Sequence, residues 1–142
     1  MRLSILRMLA PIIAFASGRI IDLSVPTSVK PDDTIIVNLS SVNYTVSVTD
    51  IAVTFSWSSL PHYREELEEL DTFLIGKEYS NLGNEATIAV QTKVPKRFEG
   101  LPLGHKVEFG ATIYSLYGDE RWPVLEILSV NVTIGNNSSA AY

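Results

Sequence analysis

The sequence lacks cysteine altogether, so no disulfide can stabilise the fold. Secreted domains shorter than about 80 residues usually need disulfides because their apolar cores are small. A chain of 142 residues can instead bury enough apolar surface to fold without covalent links. We therefore expect a disulfide-free domain whose fold would also survive a reducing compartment, such as the cytoplasm of another cell.

Long apolar runs are also scarce. Met8–Ala16 is almost purely apolar, but it is about half as long as the ~20 residues of a membrane-spanning helix, and Pro11 interrupts it. No later stretch is long and apolar enough to span a bilayer. The small residues at 138–141 are not followed by the hydrophobic tail of a lipid-anchor signal. We expect a released protein that does not insert into a membrane.

Residues that carry catalytic chemistry are few. The two histidines, His62 and His105, do not have the spacing of a metal site. The sequence has no cysteine nucleophile, no Gly-x-Ser-x-Gly motif and no phosphate-binding glycine loop. The pattern favours a protein that is not an enzyme and holds no metal or cofactor. A Ser–His–Asp triad assembled from scattered positions is an alternative that the sequence leaves open.

Positive charge is scarce as well. The chain has 11 Lys and Arg against 16 Asp and Glu, a formal net charge of −5. Nucleic acids and anionic membranes attract clustered Lys and Arg. The charge balance therefore argues against both as partners, and it suits a soluble protein or one that meets a basic surface. The oligomeric state does not follow from the sequence.

The first feature that the sequence does contain is a predicted export signal, Met1–Gly18. Arg2 and Arg7 make its start basic, Met8–Ala16 is its apolar centre, and small residues precede Arg19. This is the three-part pattern of a secretory signal peptide, which predicts cleavage before Arg19 and a secreted protein.

Five glycosylation sequons of the form Asn-x-Ser/Thr accompany the export signal. They begin at Asn38, Asn43, Asn131, Asn136 and Asn137. In an exported protein such sequons accept N-linked glycans. We expect occupancy at Asn38 or Asn131, because both side chains should lie opposite apolar neighbours and point to solvent.

Alternation of apolar and polar residues dominates the remaining chain. The predicted strands are Ile20–Val25, Thr34–Ser40, Val46–Trp57, Thr72–Tyr79, Ala86–Val94, Lys106–Leu116 and Val124–Ile134. This period of two with turn residues between runs is typical of strands. We predict an all-β, immunoglobulin-like antiparallel sandwich of about seven strands over residues 19–135, with Trp57 buried and a flexible tail at 136–142.

One segment departs from the β pattern. In Arg64–Asp71, Leu67 and Leu70 are three residues apart and the other positions are mostly acidic. That spacing predicts a short amphipathic helix in a connection. The acids could alternatively engage a basic partner, but the Asp/Asn/Gly spacing of a calcium loop is missing.

A candidate binding surface follows the strand that ends near Leu116. Aromatic residues and arginine are enriched in interfaces, and loops at the end of a sandwich are frequent recognition sites. The alternative is that these aromatics belong to the core or to a strand end. The candidate partner-binding residues are Tyr114, Leu116, Tyr117, Arg121 and Trp122.

Spaced segments along the mature chain, namely Ser24-Val-Pro26, Lys30-Pro-Asp32, Ser47–Ala52, Ser115-Leu-Tyr-Gly118 and Asn131–Gly135, resemble the fungal necrosis-inducing secreted protein family. The resemblance implies a small secreted effector of a plant-associated fungus. It further implies binding of plant immune receptor-like kinases and receptor-like cytoplasmic kinases, suppression of pattern-triggered immunity, host cell death and uptake into the host cytoplasm.

The residues themselves leave other functions open. A cell-wall or carbohydrate-binding module would use Trp57, Tyr117 and Trp122 as stacking platforms. A secreted hydrolase and a purely structural surface protein are further alternatives. The buried side predicted for Trp57 already weakens the carbohydrate hypothesis.

Overall fold

The computed structural model describes residues 17–59, 68–75 and 86–140. Within these ranges the chain forms eight β-strands and one short 3-10 helix. The strands are β1 Ser17–Ser24, β2 Ser28–Val29, β3 Thr34–Tyr44, β4 Val48–Ser59, β5 Glu68–Leu74, β6 Thr87–Lys93, β7 Lys106–Tyr117 and β8 Trp122–Ile134. The 3-10 helix, Lys96–Gly100, lies between β6 and β7.

The strands form two sheets. One has three strands in the order β1-β3-β6, and the other has five in the order β2-β8-β7-β4-β5. Neighbours are antiparallel except β2 and β8, which are parallel. Apolar side chains from both sheets make one core between them. The predicted all-β, cysteine-free arrangement of two sheets is therefore confirmed, whereas the immunoglobulin-like connectivity stays a prediction.

Trp57 lies at the centre of this core. Its side chain is 2% exposed, as the alternation in β4 predicts, since Val53 and Phe55 on the same face are also buried. The indole packs edge-on against Phe109 of β7 at 4.6 Å and Phe98 of the 3-10 helix at 5.9 Å between ring centroids. Burial of large apolar rings against each other is the main source of stability in a domain without disulfides.

A β-bulge in β4 changes the predicted alternation. The register with β7 shifts between Asp50 and Ala52. As a result Asp50 is buried, whereas Ile51, which strict alternation with Val53 and Phe55 would turn inward, is only half-buried. A bulge inserts one extra residue into a strand and so moves the following side chains to the other face.

The helix predicted over Arg64–Asp71 is wrong for its second half. Glu68–Leu74 forms β5, which is hydrogen-bonded to β4 at the edge of the five-stranded sheet. Pairing with the exposed edge of β4 satisfies this backbone and overrides the helical spacing of Leu67 and Leu70. Residues 64–67 lie outside the described residues, as does the Gly76–Tyr79 part of the predicted edge strand.

The chain segments near the two termini bear on the predicted domain boundaries. β1 begins at Ser17, and Ser17 and Gly18 pair with Tyr44 and Asn43 of β3, so the predicted cut before Arg19 falls inside this strand. The predicted signal peptide otherwise lies outside the described residues. Among those residues, no helix is long and apolar enough to cross a membrane.

The first residues of the predicted C-terminal tail are hydrogen-bonded to the sandwich. The Ser139 amide donates to the Ser28 carbonyl at 2.9 Å, and the Ser138 hydroxyl donates to Asp33 Oδ2 at 2.9 Å. These bonds hold the segment beside β2, the short strand that lies within the link predicted between the first two strands. The boundary between residues 135 and 136 stays a prediction.

Candidate recognition surface

The five predicted binding residues all lie at one end of the β7–β8 hairpin. β7 ends at Tyr117 and β8 begins at Trp122 directly opposite, so residues 118–121 make the connecting turn. Gly118 and Arg121 have positive φ angles of 70° and 55°. Such angles suit glycine and are uncommon for other residues. Gly118 is therefore suited to its place in the turn.

The strand alternation divides these residues between two faces. Directly opposite residues of an antiparallel pair share a face. Tyr114 is opposite Leu125, and Leu116 is opposite Pro123, on the outer face of the sheet. Tyr117 and Trp122 are opposite each other on the other face, beyond the end of the core. The structure therefore brings the predicted residues together at one hairpin end but presents them on two sides of it.

Exposure distinguishes the residues that can meet a partner. Trp122 is 65% exposed, and its indole Nε1 donates a 2.7 Å hydrogen bond to Glu120 of the turn. Trp122 is therefore not a core aromatic, but it is the first residue of β8, as the strand-end alternative has it. Tyr114, Pro123 and Arg121 are also exposed, whereas Leu116 and Tyr117 are half-buried.

Leu125, opposite Tyr114, completes the exposed apolar area at 68% exposure. Tyr114, Pro123 and Leu125 share the outer face, and Trp122 lies on the other face of the same hairpin end. We name these four residues, which surround the hairpin end, the recognition surface. Sequence reasoning did not select Leu125 or Pro123. The signal available was the nearly continuous apolar run Val124–Val130, because apolar residues at successive positions must occupy both faces of a strand.

Tyr117 belongs to a cluster that joins the two sheets. The Arg19 guanidinium of β1 forms a two-pronged ion pair with Glu126 of β8, with Nε 3.1 Å from Oε2. It lies 5.0 Å from the centre of the Tyr44 ring and 5.7 Å from that of Tyr117. The Tyr117 hydroxyl donates to Glu126 Oε2 at 3.3 Å. Ion pairing and cation–π contact together fix the hairpin end to β1.

The environment of this cluster raises the pKa of Tyr117 to about 12, chiefly through burial and then through the negative charge of Glu126. The phenol therefore stays protonated at physiological pH and keeps its hydrogen bond. Sequence reasoning missed Arg19, Tyr44 and Glu126 as a unit. The available signal was Glu126, the lone acid within the apolar strand β8, because a partly buried carboxylate on the inward face of a strand needs a positive partner.

Asp50 is a buried carboxylate behind the cluster. Its Oδ1 accepts a 2.5 Å hydrogen bond from the Ser115 hydroxyl, and its Oδ2 accepts one from the Ile20 amide at 3.2 Å. Burial raises the pKa of Asp50, and these two hydrogen bonds oppose the rise. Ser115 and Asp50 are both buried, so the pair has no surface from which it could reach a substrate.

Other chemistry in the described residues is sparse. No group of three or more His, Cys, Asp and Glu is placed there to hold a metal ion. His105 precedes β7, at the opposite end of that strand from Ser115, and its Nε2 is buried without a hydrogen-bond partner in the part of the chain described. His62 lies outside that part. That the protein is not an enzyme stays a prediction.

The sequons occupy different environments. Four of the five asparagines are exposed: Asn43, Asn131, Asn136 and Asn137. Asn38 is half-buried on β3, between the buried Val37 and Leu39. Both Asn38 and Asn131 lie on strand faces that point away from the core. Glycan occupancy stays a prediction.

Comparison with known proteins gives consistent matches over most of the chain. The model of the Nis1 family matches residues 16–133. Necrosis-inducing secreted protein 1 of Colletotrichum higginsianum (strain IMI 349063) is 35% identical over 135 residues, which cover 94% of this chain and 90% of that protein. Necrosis-inducing secreted protein 1 of Colletotrichum orbiculare (strain 104-T) is 33% identical over 137 residues, which cover 94% and 80%.

Proposed function

Because the chain belongs to the Nis1 family, we propose that it is a secreted effector of a plant-associated fungus that induces host cell death and suppresses pattern-triggered immunity. Its partners are plant immune receptor-like kinases and receptor-like cytoplasmic kinases, whose activity it lowers by binding. The names of both relatives include the words necrosis-inducing and secreted. The predicted export signal Met1–Gly18 supports secretion of this chain as well.

The observation that carries the proposal is the recognition surface. Trp122 is 65% exposed on a hairpin turn, and Leu125 is 68% exposed beside Tyr114 on a rigid sheet. Large exposed apolar side chains at a fixed position are the kind of residue that dominates binding energy in interfaces. The Arg19 cluster fixes this hairpin end to β1, so little conformational entropy is lost when a partner binds.

Inhibition by occupancy is the mechanism that fits these residues. Among the residues described, no group of three or more His, Cys, Asp and Glu is placed at the recognition surface to hold a metal ion. A bound protein that covers a functional face of the kinase lowers phosphorylation without any turnover of its own. The cysteine-free chain would keep this shape in the reducing cytoplasm of a host cell, where cytoplasmic kinases are found.

A titration of a purified immune kinase domain with the mature protein tests the proposal. We expect direct binding and a loss of autophosphorylation that follows occupancy, reaches its limit near one molecule per kinase and reverses on dilution. An enzyme that modified the kinase would instead act at far lower ratios and leave an inhibition that dilution does not reverse. The absence of any binding by folded protein, with or without glycans, would reject the kinase proposal.

A carbohydrate-binding module is the second candidate. The exposed Trp122 ring is the observation that favours it, since aromatic rings stack on sugar faces. Trp57 is buried and Tyr117 is half-buried, so only one of the three platforms named from the sequence is accessible. Sedimentation of the protein with insoluble chitin or glucan, and loss of that sedimentation in Trp122→Ala, would favour this function over kinase binding.

A further inference from the structure

A cavity of about 290 Å³ lies beside β8, where the end of β1 and the link to β2 pass it. Its walls are residues 22–27 together with Val130 and Asn131 of β8. Because Val130 and Asn131 are successive strand residues, their side chains lie on opposite faces of the sheet. The cavity therefore lies at the edge of the sheet. Its volume is just below the roughly 300–1,000 Å³ of small-molecule sites, which leaves room for one small group.

The cavity walls combine two kinds of chemistry. Four wall residues are apolar, namely Leu23, Val25, Pro26 and Val130. Three others carry side-chain oxygens that form hydrogen bonds, namely Asp22, Ser24 and Thr27. A sugar ring has apolar C–H faces and hydroxyl groups around its rim, so it can pack against the first set and hydrogen-bond to the second. Mixed walls of this kind are typical of ligand sites, where a few polar groups fix the orientation of the ligand.

Asn131 places an attachment point for a sugar in the wall of this cavity. The residue is exposed and begins the sequon Asn131-Val-Thr133. In an exported protein, the side-chain nitrogen of such an asparagine accepts an N-linked glycan, whose first sugar is N-acetylglucosamine. The structure describes all five sequon asparagines, and Asn131 alone among them lines this cavity.

We propose that Asn131 is glycosylated and that the first N-acetylglucosamine of its glycan docks in this cavity as part of the fold. The donor is the lipid-linked pyrophosphate oligosaccharide of the secretory pathway. Nδ2 of Asn131 bonds to C1 of the sugar, the bond from C1 to the pyrophosphate oxygen breaks, and the amide releases one proton. The proposal goes beyond the effector function, and it rests on the predicted export of the chain rather than on kinase binding.

The covalent link allows a small cavity to hold its ligand. A free monosaccharide makes few contacts in a site of this size, but a ring attached to the cavity wall has an effective concentration of roughly millimolar. The docked ring removes the apolar surface of Val25, Pro26 and Val130 from water, which favours the folded state. The glycan should therefore stabilise the fold through its first ring, and the outer sugars should add little.

Occupancy is the first test. The full-length gene is expressed in a secreting yeast, and peptide mass mapping of the secreted protein should find a glycan on Asn131. Retention of an unglycosylated chain inside the cell, or secretion with an unmodified Asn131, would overturn the proposal. Two further proteins keep one sequon each, with the other four asparagines replaced by Gln. One keeps Asn131, and the control keeps Asn43, which is also exposed and does not line this cavity.

Two enzymes separate the first ring from the rest of the glycan. Endoglycosidase H leaves one N-acetylglucosamine on the asparagine, whereas peptide-N-glycosidase F removes the whole glycan and converts the asparagine to aspartate. In the Asn131 protein, Tm should change by less than about 1 °C after the first treatment and fall by roughly 3–6 °C after the second. In the Asn43 protein, neither treatment should change Tm by more than about 1 °C.

The aspartate left by the second enzyme adds a charge to a cavity that already contains Asp22, so its effect is measured separately. Wild type and Asn131→Asp are made in bacteria without glycans, and the difference between their Tm values is subtracted. A corrected fall below about 1 °C would contradict docking of the first ring. An equal fall in the Asn43 protein, or a fall that is already complete after endoglycosidase H, would contradict it as well.

Nuclear magnetic resonance locates the ring directly. After endoglycosidase H treatment of the Asn131 protein, the acetamide methyl of the remaining sugar should show nuclear Overhauser effects to the methyl groups of Val25 or Val130, because these effects require close contact. The sugar on Asn43 should show none to these two residues. Absence of the effects in folded Asn131 protein would overturn the proposal, because the ring would then lie outside the cavity.

Discussion

The two tryptophans of the chain occupy opposite extremes of environment. Trp57 is 2% exposed between Phe98 and Phe109, and Trp122 is 65% exposed at a hairpin turn. Both are strand residues whose side chains lie on the inward side of the same sheet. The difference is position along the strands: Trp57 lies under the second sheet, and Trp122 lies beyond the point where that cover ends.

This comparison shows that residue type alone does not assign a role to an aromatic side chain. The covered ring contributes to stability through the area that it removes from water. The uncovered ring of Trp122 contributes little to folding, and its exposed apolar surface can be buried in a complex instead. Substitutions in the two regions should therefore affect different measurements.

Trp57→Ala should have the largest effect on stability. Removal of a fully buried aromatic ring costs about 3–5 kcal/mol, because the transfer energy is lost and a cavity stays behind. Urea-induced unfolding followed by circular dichroism measures the loss. A change in the free energy of unfolding below about 1 kcal/mol would mean that Trp57 contributes little to stability, and it would contradict the contrast drawn between the two tryptophans.

The buried carboxylate of Asp50 gives a second test of the core region, through the pH dependence of stability. Burial raises the folded-state pKa of Asp50 above its ordinary value of 3.8, so the folded protein binds a proton more tightly than the unfolded chain. Its contribution to stability is therefore most favourable at low pH and is lost as the pH rises through the raised pKa. Among the neighbouring charges, that of Glu126 raises the pKa of Asp50 further and that of Arg19 lowers it.

Asp50→Asn keeps a hydrogen-bonding side chain but removes the titration. Between roughly pH 4 and pH 8, the free energy of unfolding of the wild type should fall relative to that of Asp50→Asn. Unfolding curves of both proteins at each pH provide the difference. Parallel pH profiles would show that Asp50 does not titrate in this range with the assigned sign.

Tyr117 lies between the two regions, and its hydroxyl can be removed without loss of the ring. Tyr117→Phe should lower the free energy of unfolding by about 0.5–1.5 kcal/mol, the usual contribution of one hydrogen bond, while the contact with Arg19 persists. Chemical denaturation checks this value. Glu126→Gln provides a control, since it keeps an acceptor for the hydroxyl but removes the ion pair with Arg19.

Much of the fold could be predicted from the sequence because strand alternation is a local signal. The runs containing Val37, Trp57 and Val132 all became strands with these side chains buried. Features that depend on distant neighbours could not be predicted. Pairing with the edge of β4 made Glu68–Leu74 a strand, although part of this segment has helical spacing. The bulge after Asp50 depends in the same way on the register with β7.

The five candidate residues do lie together at one hairpin end, but which of them are exposed could not be predicted; that they bind a partner stays a prediction. The cluster Tyr114–Trp122 was located because aromatics followed by a turn mark the end of a hairpin. Which of them are exposed depended on where the second sheet ends. Tyr117 lies on the inward face, where Arg19, which is far away in the sequence, covers its ring. Leu125 was missed because both faces of β8 are apolar, so alternation alone does not show which of its residues lie on the exposed outer face.

The most direct test of the account is to measure unfolding and kinase binding on the same Trp122→Ala protein. The free energy of unfolding should change by less than about 0.5 kcal/mol, while binding weakens by roughly 2 kcal/mol or more, about thirtyfold. Leu103→Ala is the control, because Leu103 is 64% exposed near the opposite end of β7, and it should change neither quantity. Unaltered binding by folded Trp122→Ala, or a loss of binding that only follows a loss of stability, would contradict the assignment of this hairpin end to recognition.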